Sequence, residues 1–283
     1  MKPPASLASV SIANLTVGRV DPLVLIDGAA EAGFGAVGLL LLSPTPQPLL
    51  HEIVGRPEVV RAVRAALQEH RMRCFDVEAF VLQPGASLER FRAALAAGAE
   101  LGATHLSAIG AEILGNAPTL GAAERIDLFG RLCDEAARFG LHVGVEFMLY
   151  RDIPTWREAL ALIEAVGRRN AGLIVDALHL HRGKGTPQEI AGIPAHRIAY
   201  AQLCDAVAAS PALEDLPAEA RGGRLPVGDG AIPLSDLLAA LPEGTPLVIE
   251  TPIRAEAEWS TARRCLSAAT GARSFFAGRA RAD

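Results

Sequence analysis

The chain has 283 residues, half of them hydrophobic, 21% charged and only 5% aromatic, with a net charge of −5. That composition excludes a disordered chain and calls for a core of Ala, Leu, Val and Ile. Lys and Arg are scattered among the acids, which excludes nucleic acid as the main partner, because phosphate binders cluster their basic residues.

A strand is expected over residues 9–14, after which Asp21 N-caps a helix with Pro22 in its first position. The apolar run 36–42 reads as a second strand. Helix 57–70 follows, with Val59, Val60, Val63 and Leu67 on one face. Strand 73–81 precedes helix 87–101, which stops at Gly102. Strand 105–109 precedes helix 122–139, with Gly140 just past its end. Strand 142–147 and helix 155–166 form the next unit. Strand 172–176 is followed only by a weak helix near 187–191. Strand 198–203 leads into the Pro- and Gly-rich stretch 210–231, which is too long for a tight turn and reads as a functional loop. Helix 234–241, strand 247–251 and helix 255–269 complete the chain.

Eight largely apolar strands alternating with helices are what parallel strands covered on both faces require. The pattern predicts an α/β fold, a (β/α)8 TIM barrel forming a single domain over residues 1–283. A doubly wound sheet is the alternative. It would carry a Gly-rich phosphate loop after the first strand, and residues 11–18 have none. The longest apolar run, 36–42, is far short of a membrane span of about 20 residues. The polar start MKPPASLASV does not read as a signal peptide. Cys74, Cys133, Cys204 and Cys265 are widely spaced and form no C-x-x-C, so a cysteine-rich zinc site is excluded. Reduced thiols and a cytoplasmic location are expected.

Reactive residues of such a barrel stand at the C-terminal ends of its strands. The last four strands end in Gly-Val-Glu146, Ile-Val-Asp176-Ala-Leu-His179, Gln202-Leu-Cys-Asp205 and Val-Ile-Glu250. Converging carboxylates repel one another, and burying them unpaired is costly; a cation removes both penalties. Three carboxylates and an amide oxygen are hard ligands. They suit one divalent ion, Mn²⁺ or Mg²⁺ first, with Co²⁺ or Zn²⁺ as further candidates. The opposing reading, acids serving as helix caps or ion-pair partners, is ordinary for one residue and weak for four in succession.

These motifs, with the loop Arg224-Leu-Pro-Val-Gly-Asp-Gly-Ala-Ile, resemble the sugar phosphate isomerase/epimerase superfamily, the xylose isomerase-like TIM barrels. The resemblance covers nearly the whole chain and is strongest from Gly140 to Pro252. It implies that Glu146, Asp176, Gln202 and Glu250 hold the metal, with Glu146 and Glu250 as catalytic acid/base residues. It implies a substrate-binding role for His179 and Arg224. Glu78, Asp205 and His105 complete the substrate-binding candidates, although the early position of His105 in its strand favours a core or surface role. Members acting on free keto sugars commonly have His where Gln202 stands, and the Arg of keto-sugar epimerases is absent near Ala208-Ala209.

The expected partner is a small molecule, with a homo-oligomer compatible with the resemblance and no role for a membrane. The leading expectation is an isomerase or epimerase of a sugar or polyol-derived hydroxyketone, working through an enediolate. A dehydratase or β-eliminating lyase, of the inosose or dehydroshikimate dehydratase kind, is the alternative. The same ligands serve both, and Gln202 with the apolar Met148-Leu149-Tyr150 wall gives the second weight. DNA repair by an endonuclease-IV-like barrel would need more histidines and a basic face. A non-catalytic binding module would have no use for the carboxylate set.

Overall fold

Strands apolar on both faces must be covered inside and out, and the chain meets that demand by closing its sheet on itself. The computed structural model describes residues 1–45, 47–115 and 117–280. The strands are β1 (Ser11–Ile12), β2 (Ala36–Leu40), β3 (Arg73–Leu82), β4 (His105–Gly110), β5 (His142–Glu146), β6 (Ala171–Asp176), β7 (Ile198–Leu203) and β8 (Leu247–Ile249). Each pairs in parallel with the next, and β8 pairs with β1 through Ser11↔Val248 and Ile12↔Ile249 to close the barrel. The expected (β/α)8 barrel is therefore the fold.

The helices are α1 (Asn14–Val17), α2 (Pro22–Glu31), α3 (Pro57–Glu69), α4 (Leu88–Glu100), α5 (Ala122–Ala137), α6 (Trp156–Val166), α7 (Ala177–Arg182), α8 (Pro187–Ala191), α9 (Leu216–Ala220), α10 (Leu234–Ala240) and α11 (Thr261–Ala280). Local chemistry sets their starts. The Asp21 carboxylate accepts from the Leu23 N–H at 2.8 Å, and the Ser87 hydroxyl accepts from the Arg90 N–H at 3.2 Å. In α3, Val60, Val63 and Leu67 form the buried face, and truncating Leu67 to Ala would cost about 2–5 kcal/mol.

Three expectations need correction. The last helix was expected over 255–269 but runs over Thr261–Ala280, because the Ser260 hydroxyl accepts from the Arg263 N–H and fixes the start there. A short 3-10 turn, Arg254–Glu256, takes up the residues before it. The stretch after Asp176 is helical at once, since Asp176 Oδ1 accepts from the His179 N–H at 2.9 Å and caps α7. Strand β1 is shorter than expected because Asn14 opens α1, which ends at Gly18 with φ +75°.

Inside the barrel the lower layer is apolar and aromatic: Ala36, Phe75, Ile174, Tyr200 and Val248 pack together. Ile174 reaches across to Gly144, where an added Cβ would lie 2.5 Å from it, so glycine is required at that point of β5. The larger core fills the space between strands and helices. No helix among the described residues is long and apolar enough to cross a membrane.

The excursion after β7 returns to the barrel through one residue. Asp205 Oδ1 accepts from the Ala206 and Ile232 N–H groups, both at 2.9 Å, and its backbone exchanges two hydrogen bonds with Leu225. This clamp sets the position of the neighbouring Arg224. Asp205→Ala leaves two buried donors without a partner and is expected to destabilise the fold by roughly 2–4 kcal/mol in urea titration. An unchanged midpoint would show that the clamp carries no load.

Candidate active site

Strand period places the site. Glu146 and Asp176 close β5 and β6, Gln202 is the last but one residue of β7 and Glu250 follows β8, and all four side chains are buried. Asp176 and Gln202 are register partners. The α7 cap swings His179 over the barrel mouth, with Nε2 3.6 Å from Glu146 Oε1. Glu146, Asp176 and His179 each offer a ligand atom within 4.8 Å of the others.

Arg224 lies among these acids. Its Nη1 donates to Asp176 Oδ2 at 2.6 Å and its Nη2 lies 2.8 Å from Glu250 Oε2. Nε donates to the Ala220 carbonyl, which anchors the guanidinium to α9. Gln202 Nε2 donates to Glu250 Oε1 at 3.2 Å, so its amide oxygen points elsewhere and has no partner. His179 Nε2 is likewise buried without a hydrogen bond.

Two more acids face inward from β3. Asp76 and Glu78 are two residues apart, hence on one face of the strand. Tyr200 donates to Asp76 Oδ2 at 3.2 Å, while Asp76 Oδ1 and Glu78 Oε1 are buried without partners. Both oxygens converge on Gly38, where a Cβ would lie 2.6 Å and 3.3 Å from them. Any larger residue at 38 would displace the pair.

Burial dominates the titration of this cluster. It raises Glu146 well above the ordinary carboxylate range, with repulsion from Glu250 and Asp176 adding to it. Burial lifts Glu250 to about 7 even though Arg224 pulls it down. Burial lifts Asp76 to about 7 against the Tyr200 hydrogen bond, and raises Glu78 well above the ordinary carboxylate range, with Asp76 and Glu250 adding repulsion. Burial also works against ionised Asp176, but Arg224, His179 and the capping N–H outweigh it and hold this carboxyl below its usual value. Burial drops His179 to about 4, leaving a neutral imidazole at physiological pH. Of the five acids, Asp176 and Glu250 are bonded directly to the Arg224 guanidinium.

A divalent cation fits these residues. The carboxylates of Glu146 and Asp176, the neutral His179 imidazole and the unpartnered Gln202 oxygen are ligand types that accept Mn²⁺, Co²⁺ or Zn²⁺. A cavity of about 290 Å³ opens above them. Met148 and Tyr150 form an apolar side of it, and Asn14 and Ser107 supply polar groups.

The structure brings Glu146, Asp176, Gln202, Glu250, His179, Arg224 and Glu78 to this end of the barrel. It does not bring His105 there, and Asp205, just past the end of β7, does not line the cavity. His105 begins β4 at the opposite end, stacked on Phe75 at 4.6 Å and beside His142 at 5.4 Å. Asp205 spends its carboxylate on the loop clamp. Arg182, at the end of α7, is tied to Glu219 at 2.6 Å and braces α7 against α9. Cys204 is buried and raised to about 12, an inert thiol. Asp76 and Tyr200 escaped the sequence reading. Their signal was the strand period, since each stands two residues before a candidate already chosen.

The family model for the xylose isomerase-like TIM barrel matches residues 26–269, and the chain belongs to this family. A 3-dehydroshikimate dehydratase of Pseudomonas aeruginosa is 29% identical over 217 residues, covering 71% of this chain. The chain spans only 30% of that relative's length. Among solved structures, the IolI protein with a bound zinc atom superposes with a TM-score of 0.78 at 15% identity, covering 95% of this chain and 98% of that one. A D-allulose 3-epimerase from Methylomonas sp. gives a TM-score of 0.70 at 20% identity over 99% of both chains.

The cluster sets a pH dependence for metal-stripped protein. Asp76 and Glu250 titrate higher in the fold than in the unfolded chain. Their contribution is complete below the unfolded values and is lost as pH rises through about 7. His179, lowered by the fold, opposes this only below its unfolded value of about 6.5. The melting temperature is therefore expected to fall between about pH 5 and 7, most steeply above about 6.5, and Asp76→Asn to flatten that fall. A profile rising through this window in scanning calorimetry would contradict the charge assignment.

Proposed function

We propose that the protein is a divalent-metal-dependent enzyme that removes a proton α to the carbonyl of a small cyclic hydroxyketone and expels water from the β carbon. The observation that carries this reading is the convergence of Glu146, Asp176 and His179 beside the unpartnered Gln202 oxygen, under a cavity with an apolar side. The dehydratase relative supports elimination over the other outcomes of the same chemistry.

Glu146, Asp176, His179 and Gln202 would hold the ion. Bound there, a divalent ion supplies Lewis acidity that acidifies the C–H next to a carbonyl. The chain's own residues handle the protons. Glu250, with a carboxyl near 7, is matched to proton removal at physiological pH. Arg224 remains beside it and steadies the negative charge that develops. Glu78 faces the cavity from β3, is held protonated by burial, and delivers its proton to the departing hydroxyl. The Met148 and Tyr150 side excludes water from the reacting face. We assign the ion as Mn²⁺, Co²⁺ or Zn²⁺ ahead of Mg²⁺, because an imidazole joins the oxygen ligands.

A second reading, epimerisation or isomerisation, draws on the separation of Glu146 and Glu250 on β5 and β8. One carboxylate would take the proton and the other return it. The IolI protein and the allulose epimerase support this only at the level of the fold.

Protein purified without chelator is expected to carry about one divalent ion per chain by elemental analysis, and Glu146→Gln and Asp176→Asn to lose it. With 3-dehydroshikimate as probe, wild-type protein should form the dehydrated aromatic product, and Glu250→Gln should slow this by about 10²-fold or more. Solvent deuterium entering the recovered probe without loss of water would favour the second reading. Absence of any bound ion after adding Mn²⁺, Co²⁺, Zn²⁺ and Mg²⁺ would refute both.

A further inference from the structure

Three arginines are fully buried among the described residues: Arg151, Arg182 and Arg224. Two have carboxylate partners within 3 Å. Arg224 bridges Asp176 and Glu250, and Arg182 is held by both oxygens of Glu219. Arg151 has none among the described residues. Its single side-chain hydrogen bond runs from Nη1 to the Gly110 carbonyl at 2.7 Å, and its Nε is buried without an acceptor. The nearest acid on the rim, Glu112, pairs with Arg221 at 3.3 Å instead.

Arg151 lines the same cavity as Glu146, Glu250 and His179. Burial lowers its pKa, and although Tyr150, Glu112 and Glu146 pull it back up at a distance and Arg221 adds repulsion, burial prevails, the direction expected of a cation with no bonded counter-ion. Its backbone accounts for its place in the fold: the N–H donates to the Met148 carbonyl, and a bridge to Glu112 ties the turn after β5 to the end of β4. Those contacts need a residue at 151 but not a guanidinium. The Gly110 bond uses only one of the five N–H donors, and the Nε and Nη2 groups, which form the parallel pair that matches a carboxylate, have no acceptor in the structure. A buried charge of this kind is stabilised when an anion completes it.

We propose that Arg151 recognises an anionic group on the substrate, a carboxylate or a phosphate monoester, and so selects charged hydroxyketones over neutral polyols. This rests on the reading of the cavity as the substrate site. The inner end of that cavity is rich in acids and would repel an anion, whereas Arg151 with Arg221 and Arg19 supplies positive charge along its wall. One end then handles the ketone and its protons, and the arginine fixes the other end of the molecule. The unused edge of the guanidinium favours a carboxylate as the occupant.

The test is calorimetric binding to the protein as purified, so it reads out without turnover. The probes are 3,4-dihydroxybenzoate and catechol, which differ only in the carboxylate, with dihydroxyacetone phosphate and dihydroxyacetone as the phosphate pair. Wild-type protein is expected to bind the charged member of one pair about 10-fold or more tightly than its neutral partner. Arg151→Gln should remove that preference and leave the affinity for the neutral probe within about twofold, and Arg151→Lys should restore only part of it. Preference within the carboxylate pair assigns a carboxylate, and within the phosphate pair a phosphate. Equal binding of charged and neutral probes by wild-type protein, binding of neither charged probe, or equal weakening of both by Arg151→Gln would overturn the proposal. Charge preference that depends on Arg151 in protein that performs no dehydration would uphold it while the elimination chemistry fails.

Discussion

The contact on which the rest of the site depends is the guanidinium of Arg224 between Asp176 and Glu250. Without it, the barrel mouth would hold acids from four strands with no positive charge bonded to them. Its position is set from outside the barrel. The Asp205 clamp places the loop, and the Ala220 carbonyl fixes Nε. The long excursion after β7 is therefore part of the site: it carries a cation back into a ring of anions that the strands alone would bring together unstably.

One guanidinium does not balance the cluster, and the remaining charge is absorbed by protonation. Asp76, Glu78, Glu146 and Glu250 all hold protons more tightly than ordinary carboxyls, whereas Asp176, bonded to both Arg224 and the α7 cap, stays ionised. The division is useful. In the proposed chemistry an ionised Asp176 beside a neutral His179 is ready to ligate, and Glu250, lifted to about 7, is placed to exchange a proton. Neutral imidazole and ionised carboxylate coexist here because burial disfavours charge on His179 while Arg224 favours it on Asp176.

Much of this was legible in the chain. Apolar runs at regular spacing gave all eight strands, and the acids after them gave the mouth residues, because parallel strands end where the chain turns polar. Local propensity missed α7, whose start depends on Asp176 acting as a cap while also serving the site. It carried the last helix six residues too early, since nothing short of the Ser260 cap distinguishes 255–260 from the helix proper. The early place of His105 in its strand already favoured a core or surface role over a site one, and as the first residue of β4 it packs on Phe75 at the floor. Asp205 looked like a mouth residue because it follows a site motif, but backbone donors of its own loop claim its carboxylate. Arg151 carried no sequence signal, because its missing partner is visible only once every buried acid has been located.

The central claim is that this acid cluster is completed by a divalent ion, which must displace protons from the raised carboxyls to bind. Calorimetric titration of metal-stripped protein with Zn²⁺ or Mn²⁺ near pH 7, repeated in buffers of different ionisation enthalpy, counts those protons directly. The expected result is stoichiometric binding with release of about one proton or more per ion, abolished by Glu146→Gln. Binding without proton release, or no binding at all, would contradict it.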